Sequence, residues 1–169
     1  MKTIYAKARQ CFICVVAAIC IMSCSNDEVD IPVDDDSSED IINVEASAIE
    51  TEILQLVNNH RSSIGKSKLE INNLAAVLAK EHTLYMINKG DISHDNFDER
   101  GDRLISEEQA IKVGENVAFK YRTAKEVMEA WLNSPGHKAN IEANFTHIGI
   151  SAIKDNSGFF YYTQVFFRK

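Results

Sequence analysis

His94, Glu115 and His137 are the residues whose types and settings could do chemistry in this chain. Histidine is the one side chain whose ordinary pKa lies near neutrality, and it is the commonest metal ligand. His94 sits in the turn-rich stretch Asp91-Ile92-Ser93-His94-Asp95-Asn96, and Glu115 in Gly114-Glu115-Asn116. His137 follows a tryptophan-led segment that breaks at Ser134-Pro135-Gly136. Two neutral imidazoles and one carboxylate can hold a divalent cation, zinc above all, with a coordination position left open for water. Such a cation lowers the pKa of its bound water toward neutrality and so permits hydrolysis. Glu115 could equally orient an imidazole N–H from behind, or act as a base. Taken singly, His94 reads as a solvated loop residue, Glu115 as a turn carboxylate, and His137 as an anion-binding group at a helix start.

Other chemistries find little support. The chain has no HExxH motif, and no serine or cysteine stands in a recognised nucleophile setting. Ser134 is too near His137, at a helix cap, to form a triad with it. Gln164 shares a strand face with Tyr162 and either faces the cleft or pairs within the sheet.

Several elements must bring these residues together. Ala48 to Arg61 carries Ile49, Ile53, Leu56 and Val57 at helical spacing. A second helix is expected from Asn72 or Asn73 to about Asn88, stopped by Gly90. Its His82 reads as a packed or surface residue. A short helix is expected around Asp98 to Ile105, and an extended segment from Lys112 to Phe119. Thr123-Ala124-Lys125-Glu126 is a capping box that opens a helix with Val127, Ala130 and Trp131 on its apolar side. Trp131 is expected in the core. Ser134-Pro135 ends that helix and can start the next turn as N-cap and first helical residue. His147 to Lys154 and Phe159 to Phe167, joined through Asp155-Asn156-Ser157-Gly158, read as a β-hairpin. This order predicts an α+β layered domain.

Upstream, the chain changes character. Residues 1–23 have a basic start (Lys2, Lys7, Arg9) and an apolar run from Cys11 to Met22. That run is too short to span a bilayer, for which about 20 apolar residues are needed, and it fits a secretory signal. Ile21-Met22-Ser23-Cys24 resembles the lipobox of bacterial lipoproteins, so Cys24 is the expected site of lipidation and the membrane attachment. All four cysteines lie in the leader or at its cleavage point, which leaves the remaining chain without disulfides. Residues 24–46 are acidic and lack aromatic residues, as expected of a disordered tether. The formal net charge of −7 is concentrated there, and residues 47–169 are nearly neutral. Nucleic acid is therefore not an expected partner. A monomer is expected, lipid-anchored outside the cytoplasm at a bacterial membrane, with the outer membrane or cell surface as candidate locations.

The motifs Leu56-Val57-Asn58-Asn59-His60-Arg61, Ser93-His94, Gly114-Glu115-Asn116-Val117-Ala118, Ala130-Trp131-Leu132-Asn133-Ser134-Pro135-Gly136-His137, Phe145-Thr146-His147-Ile148-Gly149 and Tyr162-Thr163-Gln164-Val165-Phe166 occur in that order. Together they resemble the CAP superfamily of cysteine-rich secretory, antigen 5 and pathogenesis-related proteins, in its short bacterial form. The resemblance covers about Ser47 to Lys169. It implies a three-layer α-β-α sandwich whose cleft receives two histidines and two glutamates, the histidines often holding a divalent cation. By that correspondence His94 and His137 are the histidines and Glu115 is the first glutamate. Ser134 stands where the second glutamate falls in eukaryotic members. The expectation is a binding module with a His94–Glu115–His137 cleft, also lined by Ser134 and Gln164, for a small-molecule, lipid or peptide ligand. The alternative is a metal-dependent hydrolase of peptides or envelope material, with Glu115 as its base.

Overall fold

The computed structural model describes residues 37–169, with side chains described from residue 47. The leader, Cys24 and most of the acidic stretch lie outside the described residues. Nine elements follow in order among the described residues: α1 (Ser37–Ser63), β1 (Glu70–Ile71), α2 (Asn73–Lys89), α3 (Phe97–Glu108), β2 (Lys112–Phe119), α4 (Ala124–Asn133), α5 (Pro135–Glu142), β3 (His147–Lys154) and β4 (Phe160–Arg168). The first helix begins at Ser37 rather than at Ala48, so the end of the expected tether is helical. No helix among the described residues is long and apolar enough to cross a membrane.

The helix ends are set by the residues read as caps. Asn72 accepts a hydrogen bond from Ala75 N–H at 2.9 Å, and Gly90 closes α2 in the left-handed region at φ 74°. Thr123 Oγ1 accepts from Glu126 N–H at 3.2 Å. Glu126 reaches back to Arg122 N–H at 2.7 Å, one residue before the expected partner in a capping box.

The sheet order is β1-β3-β4-β2, with β1 parallel to β3 and the other pairs antiparallel. The long hairpin is therefore the centre of the sheet, and β2 adds to its outer side as an edge. β1 was not anticipated: Glu70-Ile71 is too short to show a period, and it is fixed only by pairing with His147 and Ile148.

Strand alternation divides the protein into three layers. One face carries Ala118, Phe160, Tyr162, Phe166, Ile148, Ile150 and Ala152 into a core with α1, α4 and α5. Trp131, 1% exposed, lies in that core and meets the Tyr162 ring edge-on, with centroids 6.3 Å apart. The other face packs Val165 and Phe167 against Ala75, Leu78 and Ala79 of α2 and Leu104 of α3. This is an α-β-α sandwich. At Gly149 the sheet touches α2 so closely that a Cβ would lie 2.0 Å from the Ala75 carbonyl carbon. Only glycine allows that approach.

Arg61 locks the end of α1 to the opposite side of its layer. Although only 1% exposed, it donates to four carbonyls: Ser67 (2.8 Å), Ile141 (2.7 Å), Ala143 (2.8 Å) and Phe145 (3.2 Å). Burial pulls its pKa below the ordinary value, yet a guanidinium remains charged in proteins. These bonds hold the α5–β3 connection and, through it, the helix that carries His137.

Candidate functional site

The site is built along β2. Its alternation sends Glu115 toward α2 and α3, while neighbouring Asn116 points to the α5 side. The two faces of one strand thus address two different walls.

On the first wall Glu115 is a buried hub, its side chain 2% exposed. Arg100 of α3 forks it, with Nε donating to Oε2 at 2.8 Å and Nη2 to Oε1 at 2.9 Å. Arg100 Nη1 also donates to the Asp95 carbonyl at 2.8 Å, tying in the loop. His94 Nδ1 lies 2.8 Å from Glu115 Oε1, while the His94 side chain is 54% exposed. Because the carboxylate accepts, the neutral form of His94 carries its proton on Nδ1 and keeps a lone pair on Nε2. Glu115 thereby fixes the tautomer that a metal-binding imidazole needs.

His82, on α2, supports the loop from below. Its Nε2 is 2.7 Å from the Ser93 carbonyl and 3.7 Å from Glu115 Oε1. A carbonyl only accepts, so Nε2 is the protonated nitrogen. Burial lowers the His82 pKa, outweighing the opposing pull of the Glu115 charge. At the loop rim Asp95 accepts from Lys89 and Tyr85. The Lys89 hydrogen bond, then that of Tyr85, brings the Asp95 pKa down to about 2.

The lowered His82 pKa has a measurable consequence. As pH falls below about 6.5 the unfolded chain takes up this proton first, so stability is lost on acidification toward the lower folded pKa. The urea midpoint should drop between pH 7.5 and 5.5, and His82→Gln should reduce that drop while keeping a donor for Ser93. An undiminished pH slope in the variant would contradict this role for His82.

On the second wall His137 occupies the first turn of α5, after Ser134 and Pro135. It is half-buried; that burial, and secondarily the nearby His94, lowers its pKa and favours the neutral, ligating form. Its carbonyl accepts from Asn116 Nδ2 at 3.2 Å. Asn116 Nδ2 also reaches Gln164 Oε1 at 3.1 Å. Asn140 Nδ2 donates to Asn116 Oδ1 and to the Glu115 carbonyl, each at 2.9 Å. These amides fasten α5 to β2. Gln164 is fully buried, so it acts beneath the cleft, and its Nε2 has no partner among the described residues.

Two hollows of about 320 Å³ open on β2. One is bounded by His94, Phe97, Val113, Gly114, Glu115 and Asn140. The other includes Ile92, Val117, Phe119, Trp131, Ser134 and His137. Ser134 lies at this second hollow and makes no side-chain cap bond. A larger hollow of about 450 Å³ beside Lys120 and Phe159 contains none of these groups, and the site is located by its chemistry rather than its size.

Among the described residues, no group of three or more His, Cys, Asp or Glu side chains is arranged to hold a metal ion. The available donor set is two imidazoles, because both Glu115 oxygens are engaged. That set suits zinc, copper or nickel in a site completed by water or ligand.

Arg100, His82, Asn116 and Asn140 were not anticipated as parts of the site. Arg100 had a signal: Leu104 marks the inner face of a polar helix, and Arg100 lies one turn before it on that face. Asn140 similarly lies at i+3 from His137. Nothing in the local sequence of His82 points to Glu115.

Comparison with known proteins supplies an independent reading. The sequence model for the cysteine-rich secretory protein family, CAP, matches residues 54–166. The uncharacterized protein YkwD of Bacillus subtilis is 34% identical over 130 residues, which cover 73% of this chain and 48% of that protein. The uncharacterized membrane protein YlbC of the same organism is 34% identical over 126 residues, or 71% of this chain and 34% of its own length. The chain thus spans about half and about a third of these two relatives. Among solved structures, an extracellular SCP-domain protein of Bacillus anthracis is 30% identical with a TM-score of 0.66, covering 77% of this chain and 43% of that one. An outer surface protein of Borrelia burgdorferi shares the fold at 21% identity and a TM-score of 0.64, covering 70% of this chain and 91% of that one.

Proposed function

The chain belongs to the cysteine-rich secretory protein family, CAP, and from that premise we propose that it is an extracytoplasmic binding module whose cleft holds a divalent cation between His94 and His137. The observation that carries this reading is the His94–Glu115–Arg100 arrangement. It freezes one imidazole with a lone pair on Nε2, at a partly exposed position beside a second imidazole whose burial favours the neutral form. Zinc is the cation proposed, with water or ligand filling the remaining positions. Engagement of Glu115 by Arg100 leaves it poorly placed to abstract a proton, which favours binding over hydrolysis.

Calorimetry with zinc chloride tests the cation. Wild type is expected to bind about one equivalent, and the His94→Ala/His137→Ala variant none. Equal affinity in both would end the claim. Arg100→Met/Glu115→Leu, which keeps both histidines but frees the His94 ring, should weaken binding by about 10–100-fold, the usual effect of losing an orienting partner.

We propose further that Cys24 carries a lipid that attaches the protein to a bacterial membrane, with the acidic residues that follow as a spacer. The lipobox-like Ile21-Met22-Ser23-Cys24 supports the anchor. The extracellular SCP-domain relative from Bacillus anthracis supports the location. Labelled palmitate should enter wild type and not Cys24→Ala; absence of label from wild type would refute the anchor.

A further inference from the structure

The hollow of about 450 Å³ at the hairpin end of the sheet, which contains neither His94, Glu115 nor His137, is one-sided in charge. Lys120 and Arg122 enter it from the β2–α4 connection and Lys154 from the end of β3, and no acidic side chain lines it among the described residues. Two carboxylates close by in the chain are turned to backbone donors. Asp155 accepts from the Ser157 and Phe159 N–H groups, both at 2.9 Å, and Glu126 from the Arg122 N–H at 2.7 Å. The Arg122 guanidinium itself makes no hydrogen bond or ion pair among the described residues.

Aromatic rings hold the ammonium groups. Lys120 Nζ lies over Phe119 and Phe159, 4.8 and 5.5 Å from their centroids, and Lys154 Nζ lies 4.8 Å from that of Phe160. A ring attracts a cation through its quadrupole but carries no net charge, so over Phe119 and Phe159 the Lys120 ammonium is placed without being neutralised. The backbone sets the spacing of the pair. The Phe160 carbonyl accepts from Lys120 N–H at 3.0 Å on one side, and Lys154 is the register partner of Phe160 on the other. The two lysine backbones therefore stand two strand spacings apart, about 10 Å, with room for an anion between their side chains. Lys120 takes this place in the left-handed region, at φ 71°. Strained residues of that kind gather at binding sites and switches.

We propose that this hollow binds a phosphate ester. Cations that approach from separate directions call for an anion that presents oxygens in several directions. A tetrahedral phosphate does so, whereas a carboxylate offers two oxygens in one plane. The Arg122 fork suits a pair of phosphate oxygens, and the lysines act on the others as point charges. The hollow is larger than a bare phosphate and of the size of small-molecule sites. Tyr121, Phe159 and Phe160 offer apolar surface to the esterified group. A phospholipid headgroup and a soluble phosphate ester share this chemistry. The site is additional to the cation cleft and does not depend on it, although Tyr121 borders both this hollow and the one beside His137.

Titration of the ¹⁵N-labelled protein with phenyl phosphate tests it. Amide shifts are expected at Lys120, Tyr121, Arg122, Ser157 and Gly158, with an affinity that falls as salt rises. Lys120→Asn/Arg122→Gln should weaken binding by about tenfold or more. Both positions are exposed and asparagine tolerates the left-handed backbone, so melting temperature and zinc affinity should stay as in wild type. Benzoate, a planar anion of similar size, should bind wild type about tenfold more weakly than phenyl phosphate. Absence of shifts at millimolar phenyl phosphate would overturn the proposal, as would equal affinity in the double variant or equal affinity for benzoate. Vesicles then distinguish the source. Binding to phosphatidylglycerol vesicles in excess of that to phosphatidylcholine, lost in the double variant, makes a lipid headgroup the ligand. Phenyl phosphate binding without that excess makes it a soluble ester. Vesicle binding that depends on Lys120 and Arg122 with no response to phenyl phosphate would leave a charged surface without a ligand site, and would also overturn the proposal.

Discussion

Arg100→Ala is expected to lower the unfolding free energy by about 3–5 kcal/mol, because it leaves Glu115 as a buried charge without its partner. The Glu115 side chain is 2% exposed and takes both of its strong charge-assisted bonds from that guanidinium. Relaxation is limited, since the carboxylate projects from a strand fixed by β4 along its length. The change should lower the melting temperature by about 10 °C for a domain of this size. Urea denaturation checks the magnitude, and Arg100→Met/Glu115→Leu supplies the control. With both charges gone and the volume retained, most of the stability should return. A double variant as unstable as Arg100→Ala would place the loss in packing rather than in the orphaned charge.

Arg61→Ala is expected to cost a further large amount, about 4 kcal/mol or more, for a different reason. No carboxylate is stranded; four backbone carbonyls lose charged donors in a nearly water-free setting. Hydrogen bonds from charged groups contribute about 1.5–3 kcal/mol each, and neighbouring losses do not add fully. Arg61→Lys should recover little, because one ammonium cannot reproduce a planar fork spread over four acceptors. Differential scanning calorimetry measures both variants. Near-wild-type stability in Arg61→Lys would mean that charge, and not fork geometry, holds the α5–β3 connection.

The contrast between these arginines explains how much could be read in advance. Elements with a strong period or cap were legible. The extended segment Lys112–Phe119 and the hairpin strand His147–Lys154 have the bounds expected of them, and Thr123 opens α4 and Gly90 closes α2 as expected. β1 was not legible, because two residues have no period and owe their conformation to a partner far along the chain. The start of α1 was placed late, since acidic composition outweighed the helical continuation. At the candidate site, motif order named His94, Glu115 and His137, and the fold brings His94 onto Glu115 and sets His137 at the neighbouring hollow. What motifs hid was the support: Arg100 and His82 converge on Glu115 from separate helices, and only packing of α2 and α3 on the sheet creates that meeting. Glu115 looked available in sequence because nothing near it in the chain shows what occupies its oxygens.

The contact at Gly149 also bears on how this fold can diversify. With strand and helix backbone touching, α2 has no room to slide or tilt, and neighbouring sequence can drift only within that spacing. The wall beneath His94 is therefore tightly held at Gly149. Substitutions in Ile92 to Phe97, the loop that carries His94, are expected to reshape the hollows beside β2 with less effect on the strand–helix contact than substitutions at Gly149 itself.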